Sequence, residues 1–145
     1  MLIFNKARAK FYPYNEVYLE APKKAINLPE GAPTKHQYVR LDSYVPNKEI
    51  VSRKYTQLSE VSEETAIRYL KELSDKYAPG SVIADVPSNR TGVNKGIFEF
   101  NQGDKLKGQM ILEVPVQKKS VRESILKYAR DKKIQIRDIN GNVYK

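Results

Sequence analysis

The chain of 145 residues has no cysteine, no tryptophan and a single histidine, and each scarcity removes a class of chemistry. Without thiols there is no disulfide framework, no thiolate metal centre and no cysteine nucleophile. With His36 as the only imidazole, a multi-histidine metal site is excluded, and a lone general base beside a proline-rich loop carries no mechanism by itself. The opening MLIFNKARAKFYPY breaks its short apolar run with charge and proline, which fits neither a secretory signal nor a membrane span. The expectation is a cytoplasmic protein, or one delivered into a target cell by a non-classical route. No phosphate-binding glycine loop, dinucleotide fingerprint, metalloprotease helix or nucleophile elbow is present.

What the chain does have is base. Lysine and arginine number 26 against 17 acids, for a net charge of +9. That surplus favours polyanionic partners: nucleic acid first, with an anionic membrane or an acidic protein as alternatives. The composition, 40% hydrophobic and 30% charged, is that of a globular chain whose length suits one domain.

Residues 1–36 read as a proline-rich arm, because Pro13, Pro22, Pro29 and Pro33 interrupt every candidate element. Its aromatic residues are suited to packing on the domain, with stacking on bases as the alternative. From Gln37 to Lys145 the patterning is that of a single α+β domain. QYVRLDSYV and EIVSRKYTQL alternate with period two across Pro46-Asn47-Lys48, which predicts an antiparallel hairpin. A helix follows, capped by Ser62, with Ala66, Ile67, Tyr69, Leu70, Leu73 and Tyr77 as its apolar stripe before Pro79-Gly80. SVIADV is a short strand, SNRTGVNKG a loop and IFEF a brief strand. In QMILEVPV, Met110, Leu112, Val114 and Val116 share one face, and Glu113 points the other way.

The box Ser120-x-x-Glu123 predicts the start of a second helix, with Val121, Ile125, Tyr128 and Ala129 inward. IQIRDI and NVYK then pair across Asn140-Gly141. The predicted order is ββ-α-β-(β)-β-α-ββ: helices packed on a mixed or mostly antiparallel sheet. Leu70, Leu73, Leu112, Ile125 and Ile136 are the expected core.

An even register in the first hairpin puts Tyr38, Arg40, Asp42 and Tyr44 on the same face as Ser52, Lys54 and Thr56. Arg40, Asp42, Ser52 and Lys54 then make a polar cluster. Asp42 could hold Mg²⁺ and Lys54 could stabilise charge on a phosphorus centre, a minimal set for phosphodiester cleavage. The bland alternative is a solvated sheet face with cross-strand ion pairs. Arg53, Lys118, Lys119, Lys127 and Arg130 are the candidate phosphate contacts.

RLDSYVPNKEIVSRKYTQL followed by a helix resembles the core of restriction-endonuclease-like nucleases, in which Asp ends one strand and Glu-x-Lys follows on the next. Asp42 and Lys54 match; Ser52 stands in the glutamate position, so Glu49, Glu113 or Asp85 would have to supply the second carboxylate. With GQMILEVPVQ and IRDINGNVY, the chain from about Tyr38 to Tyr144 resembles the C-terminal toxin modules of bacterial polymorphic and phage-associated toxins. That resemblance implies a nucleic-acid-directed toxin, a candidate nuclease of RNA or DNA, and an acidic immunity partner. The other readings are a non-catalytic phage or mobile-element protein that binds nucleic acid or an acidic partner, and an ADP-ribosyltransferase. In the last, Arg40, Ser52/Thr56 and Glu113 occur in the family's order, with NAD as substrate.

Overall fold

The computed structural model of the chain describes residues 2–22 and 37–145. Its frame is one six-stranded mixed sheet in sequential order β1-β2-β3-β4-β5-β6. The strands are Tyr14–Glu20, Tyr38–Val45, Glu49–Arg53, Gln109–Val114, Ile134–Asp138 and Val143–Tyr144. β1, β2 and β3 form an antiparallel meander, β3-β4 and β4-β5 are parallel, and β6 returns antiparallel to β5. The two parallel joins need crossovers, which α2 (Glu63–Lys76) and α5 (Glu123–Asp131) supply. The fold is α+β with two principal packed helices, as the patterning predicts.

Register fixes what each face carries. Tyr44, Ile50, Met110 and Ile134 lie in one row, with Ser52, Leu112 and Ile136 in the next. Leu70 and Leu73 of α2 and Ile125 and Ala129 of α5 join them in the core. All five expected core residues are fully buried. The opposite face carries Ser43, Val51, Arg53, Ile111, Glu113 and Arg137, and α1 (Leu2–Ala9) and the turn after it reach this face.

α2 is capped as expected, Ser62 Oγ accepting from Thr65 N at 3.1 Å. In the first hairpin Asn47 takes a left-handed turn at φ 67°, which asparagine tolerates better than most residues. Where β4 begins, a Cβ on Gly108 would lie 2.6 Å from the Lys48 backbone carbon. Only glycine lets the chain approach the preceding strand's start this closely.

Several expectations are corrected. The supposed arm contains α1 and β1, and β1 is a full member of the sheet. Pro13 lies between these elements and Pro22 just beyond β1, so the prolines punctuate structure instead of preventing it. Pro29, Pro33 and His36 lie outside the described residues. The SNRTGVNKG loop is ordered into α3 (Pro87–Arg90) and a 3₁₀ turn at Gly92–Asn94, and IFEF into α4 (Ile97–Asn101).

Within these turns two buried asparagines act as strand partners. Asn89 accepts from Tyr18 N and donates to Tyr18 O, while Asn94 does the same for Asn15. Side-chain amides thereby satisfy the outer edge of β1. SVIADV contributes only bridges at Val82 and Ile83. The Ser120 capping box does not form: α5 starts at Glu123 behind Arg122, whose guanidinium instead binds Leu58 O and Val61 O. Val116 lies past the end of β4 and is exposed.

Candidate nucleic-acid interface

The predicted hairpin cluster is partly assembled. Asp42 is half-buried, and its Oδ2 accepts the backbone N–H of Arg53 at 2.7 Å. Burial pushes its carboxyl above the ordinary range, against the pull of that N–H and of the charges on Arg53 and Lys54. Lys54 lies just beyond β3, its Nζ 3.6 Å from Glu72 Oε1 and over the Tyr69 ring. Tyr77, whose hydroxyl donates to Arg40 O at 3.0 Å, feels the charges of Glu72, Asp42 and Arg40.

Asp42, Lys54 and Glu72 thus share one electrostatic neighbourhood. Ser52 does not take part: it is buried on the α2–α5 face in the row of Leu112 and Ile136. Arg40 is exposed and turned to Glu16, 4.0 Å away. Asp42, Arg40 and Arg53 do, however, line a cavity of about 340 Å³, together with Lys6, Asn15 and Glu16. The register of β1 on β2 sets Glu16 opposite Asp42, and Glu16 has φ 50°.

Glu113 lies elsewhere, fully buried on the α1 face. Its carboxylate accepts Arg8 Nε at 2.8 Å, Arg53 Nε at 3.0 Å and the Tyr12 hydroxyl. Burial pushes the group up, but the hydrogen bonds from Arg8 and Tyr12 and the Arg53 charge outweigh it and hold the carboxyl below its usual range. Arg53 also donates to Ser43 Oγ at 2.8 Å. Arg137 makes two bonds to Glu49, at 2.8 and 3.0 Å, and a third to Tyr12. Arg40, Ser52 and Glu113 are therefore not gathered in one cleft, and neither Glu49 nor Glu113 faces Asp42 and Lys54. Asp85 is exposed and paired with Arg90.

Among the described residues, no three His, Cys, Asp or Glu side chains form a group that could hold a metal ion. The Mg²⁺ expectation rests on Asp42 and its immediate neighbours.

The expected phosphate contacts separate by environment. Arg53 is internal. Lys127 is bound to Asp131 at 2.9 Å, and Arg130 to Glu123 at 2.6 Å. Lys118 and Lys119 are exposed and, among the described residues, in no ion pair.

Composition alone does not reveal a second group. Lys48 precedes β3, Lys105 and Lys107 precede β4, and Lys132 and Lys133 precede β5. Lys145 follows β6, whose antiparallel register returns it to the same end. The strand starts are tied together: Gln109 N donates to Lys48 O at 2.9 Å, and Gln109 Nε2 to Lys133 O at 2.7 Å. All six lysines are exposed, and none is in an ion pair among the described residues. They form a cationic rim along the amino ends of the parallel strands.

No family model, curated protein or solved structure matches the chain. No helix among the described residues is long and apolar enough to cross a membrane.

Proposed function

We propose that the chain is a nucleic-acid-directed protein whose lysine rim holds backbone phosphates. The observation that carries this reading is the gathering of Lys48, Lys105, Lys107, Lys132, Lys133 and Lys145 at one end of the sheet, with no acidic partner among the described residues. A free ammonium whose counter-ion is displaced by a phosphate supplies sequence-independent affinity. A lysine already paired within its helix, such as Lys127, supplies less. The test is anisotropy of labelled RNA and DNA in low salt. Charge reversal at Lys48, Lys107 and Lys133 together is expected to abolish binding. Unaltered binding by that variant would overturn the reading.

A second reading, phosphodiester cleavage as in a toxin-like nuclease, is favoured by Asp42 lining a cavity with Lys6 and Arg40 while Lys54 acts on it electrostatically. A carboxyl pushed up by burial is a better proton acceptor than an ordinary one, and the neighbouring cations would stabilise charge growing on phosphate oxygens. Incubation with total RNA and plasmid DNA, with Mg²⁺ and with EDTA, tests it. Cleavage by the wild type should fall about a hundredfold in Asp42→Ala and in Lys54→Ala; equal cleavage by all three proteins would refute it.

A further inference from the structure

The loops leaving the carboxyl ends of β3, β4 and β5 enclose a cavity of about 450 Å³, lined by Tyr55, Thr56, Glu60, Pro115, Val116 and Lys118 among others. That volume is within the range of small-ligand sites, and the crevice beyond the carboxyl ends of parallel strands is where open sheets bind ligands. Two glutamines fix its walls. Gln57 Nε2 donates to Val116 O at 2.9 Å, and its Oε1 accepts Lys118 N at 2.9 Å. Gln117 Oε1 accepts Leu58 N at 2.8 Å, and its Nε2 donates to Thr56 O at 3.1 Å and to Pro115 O at 2.8 Å. Gln117 N in turn donates to the Tyr144 hydroxyl at 3.0 Å. Both side-chain amides are spent on holding the two loops together, so the cavity is built before any ligand enters.

Into this frame projects an aromatic ring that folding leaves uncovered. Tyr55 is 57% exposed, and its ring leans on Phe4 of α1 with centroids 4.9 Å apart and planes at 49°. Phe4 braces the ring while the remainder stays in solvent. Lys118 stands in the same wall, exposed and in no ion pair among the described residues. A braced, exposed aromatic face beside a free ammonium is the pairing that receives a base and its phosphate. Duplex bases are stacked inside their helix and cannot present a face to such a ring; an unpaired base can.

We infer that this cavity takes one unpaired nucleotide of a single strand, its base stacked on Tyr55 and its phosphate beside Lys118. The inference rests on the nucleic-acid reading above and adds to it a preference for strandedness. It also separates two surfaces: the rim lies at the amino ends of the parallel strands and the cavity at their carboxyl ends. Glu60, in the cavity wall, repels phosphate and so directs it to the Lys118 side.

The test uses the full chain and a short oligonucleotide carrying one 2-aminopurine, single-stranded or annealed to its complement. The single strand should bind more tightly than the duplex, and its 2-aminopurine emission should be quenched on stacking. Tyr55→Ala should weaken single-strand binding about tenfold and leave duplex binding unchanged, while Tyr55→Phe should keep wild-type affinity. Lys118→Glu, which leaves the ring in place, should also weaken the single strand. Thermal melts of Tyr55→Ala should show a folded protein whose midpoint is lowered only by the lost Phe4 contact. Equal affinity for both forms with unquenched emission, or undiminished single-strand binding by both Tyr55→Ala and Lys118→Glu, would overturn the cavity assignment while leaving rim binding intact. Failure of the wild type to bind either form in low salt would overturn the nucleic-acid reading itself.

Discussion

Glu113→Gln isolates the charge network that fastens α1 to the sheet. In the wild type the carboxylate is fully buried and is shared by two guanidinium groups, Arg8 at 2.8 Å and Arg53 at 3.0 Å, the latter also almost wholly buried. Glutamine keeps the shape but removes the charge, leaving both arginines facing a neutral acceptor. Removing one partner of a buried ion pair costs about 3–5 kcal/mol, because the remaining charge has lost both water and counter-charge. For a chain of this size that is a fall in Tm of roughly 10 °C or more.

The pH dependence has a definite sign. Glu113 is held below its ordinary pKa in the folded chain, so its stabilisation is fully present above the unfolded value and is lost as pH falls through the folded one. Urea unfolding followed by far-UV circular dichroism at neutral and at acid pH should therefore show a wide gap between wild type and Glu113→Gln that narrows in acid. Replacing Arg53 and Glu113 together with apolar residues should cost less than the sum of the single changes. A Glu113→Gln protein within about 0.5 kcal/mol of wild type at pH 7, a difference typical of ordinary surface substitutions, would refute this account. So would a gap that widens in acid.

Three further outcomes follow from the same geometry. Leu112→Ala, in the centre of the α2–α5 core, should cost about 2–5 kcal/mol in urea unfolding, and a negligible loss would contradict the register. Asp42 is raised by burial, so its charged form costs stability above the folded pKa; Asp42→Asn, which retains an acceptor for Arg53 N, should raise the urea midpoint at pH 7 and leave it unchanged in acid. Asn89→Ala strips partners from Tyr18 N, Tyr18 O and Ala84 O. Both carbonyls keep a backbone donor, Ala84 N on Tyr18 O and Val86 N on Ala84 O, so the cost falls on Tyr18 N: at about 1–3 kcal/mol for one unsatisfied buried group, the change should destabilise by about that amount and speed amide exchange at Tyr18.

The sequence made α2 and β2 to β5 legible because their alternation and apolar stripes are local. Leu73, Leu112 and Ile136 are buried where a period of 3.6 or 2 places them. β1 was not legible, because its edge is completed from a distance by Asn89 and Asn94 and by the bridge to Ile83. IFEF has strand-forming residues, yet it forms α4 between Gly96 and Gln102, both left-handed; the tertiary setting overrides propensity. In the candidate site, period two carried Asp42 to its place, but Lys54 found Glu72 on α2 and Ser52 entered the core. Glu113 carried a partial signal: an acid in a strand flanked by parallel neighbours is buried and must find cations. Which partners could not be read, since Arg8 and the Tyr12 hydroxyl lie more than a hundred positions away in sequence.

The measurement that bears most directly on the nucleic-acid reading is the salt dependence of binding. Four to six phosphate contacts predict a log–log slope of roughly −3 to −5 for the wild type. Neutralising Lys48, Lys107 and Lys133 to glutamine should make that slope shallower by about 2 to 3, while circular dichroism stays unchanged because all three side chains are exposed. A flat wild-type response, or a triple variant with the wild-type slope, would contradict the assignment of the lysine rim to phosphate binding.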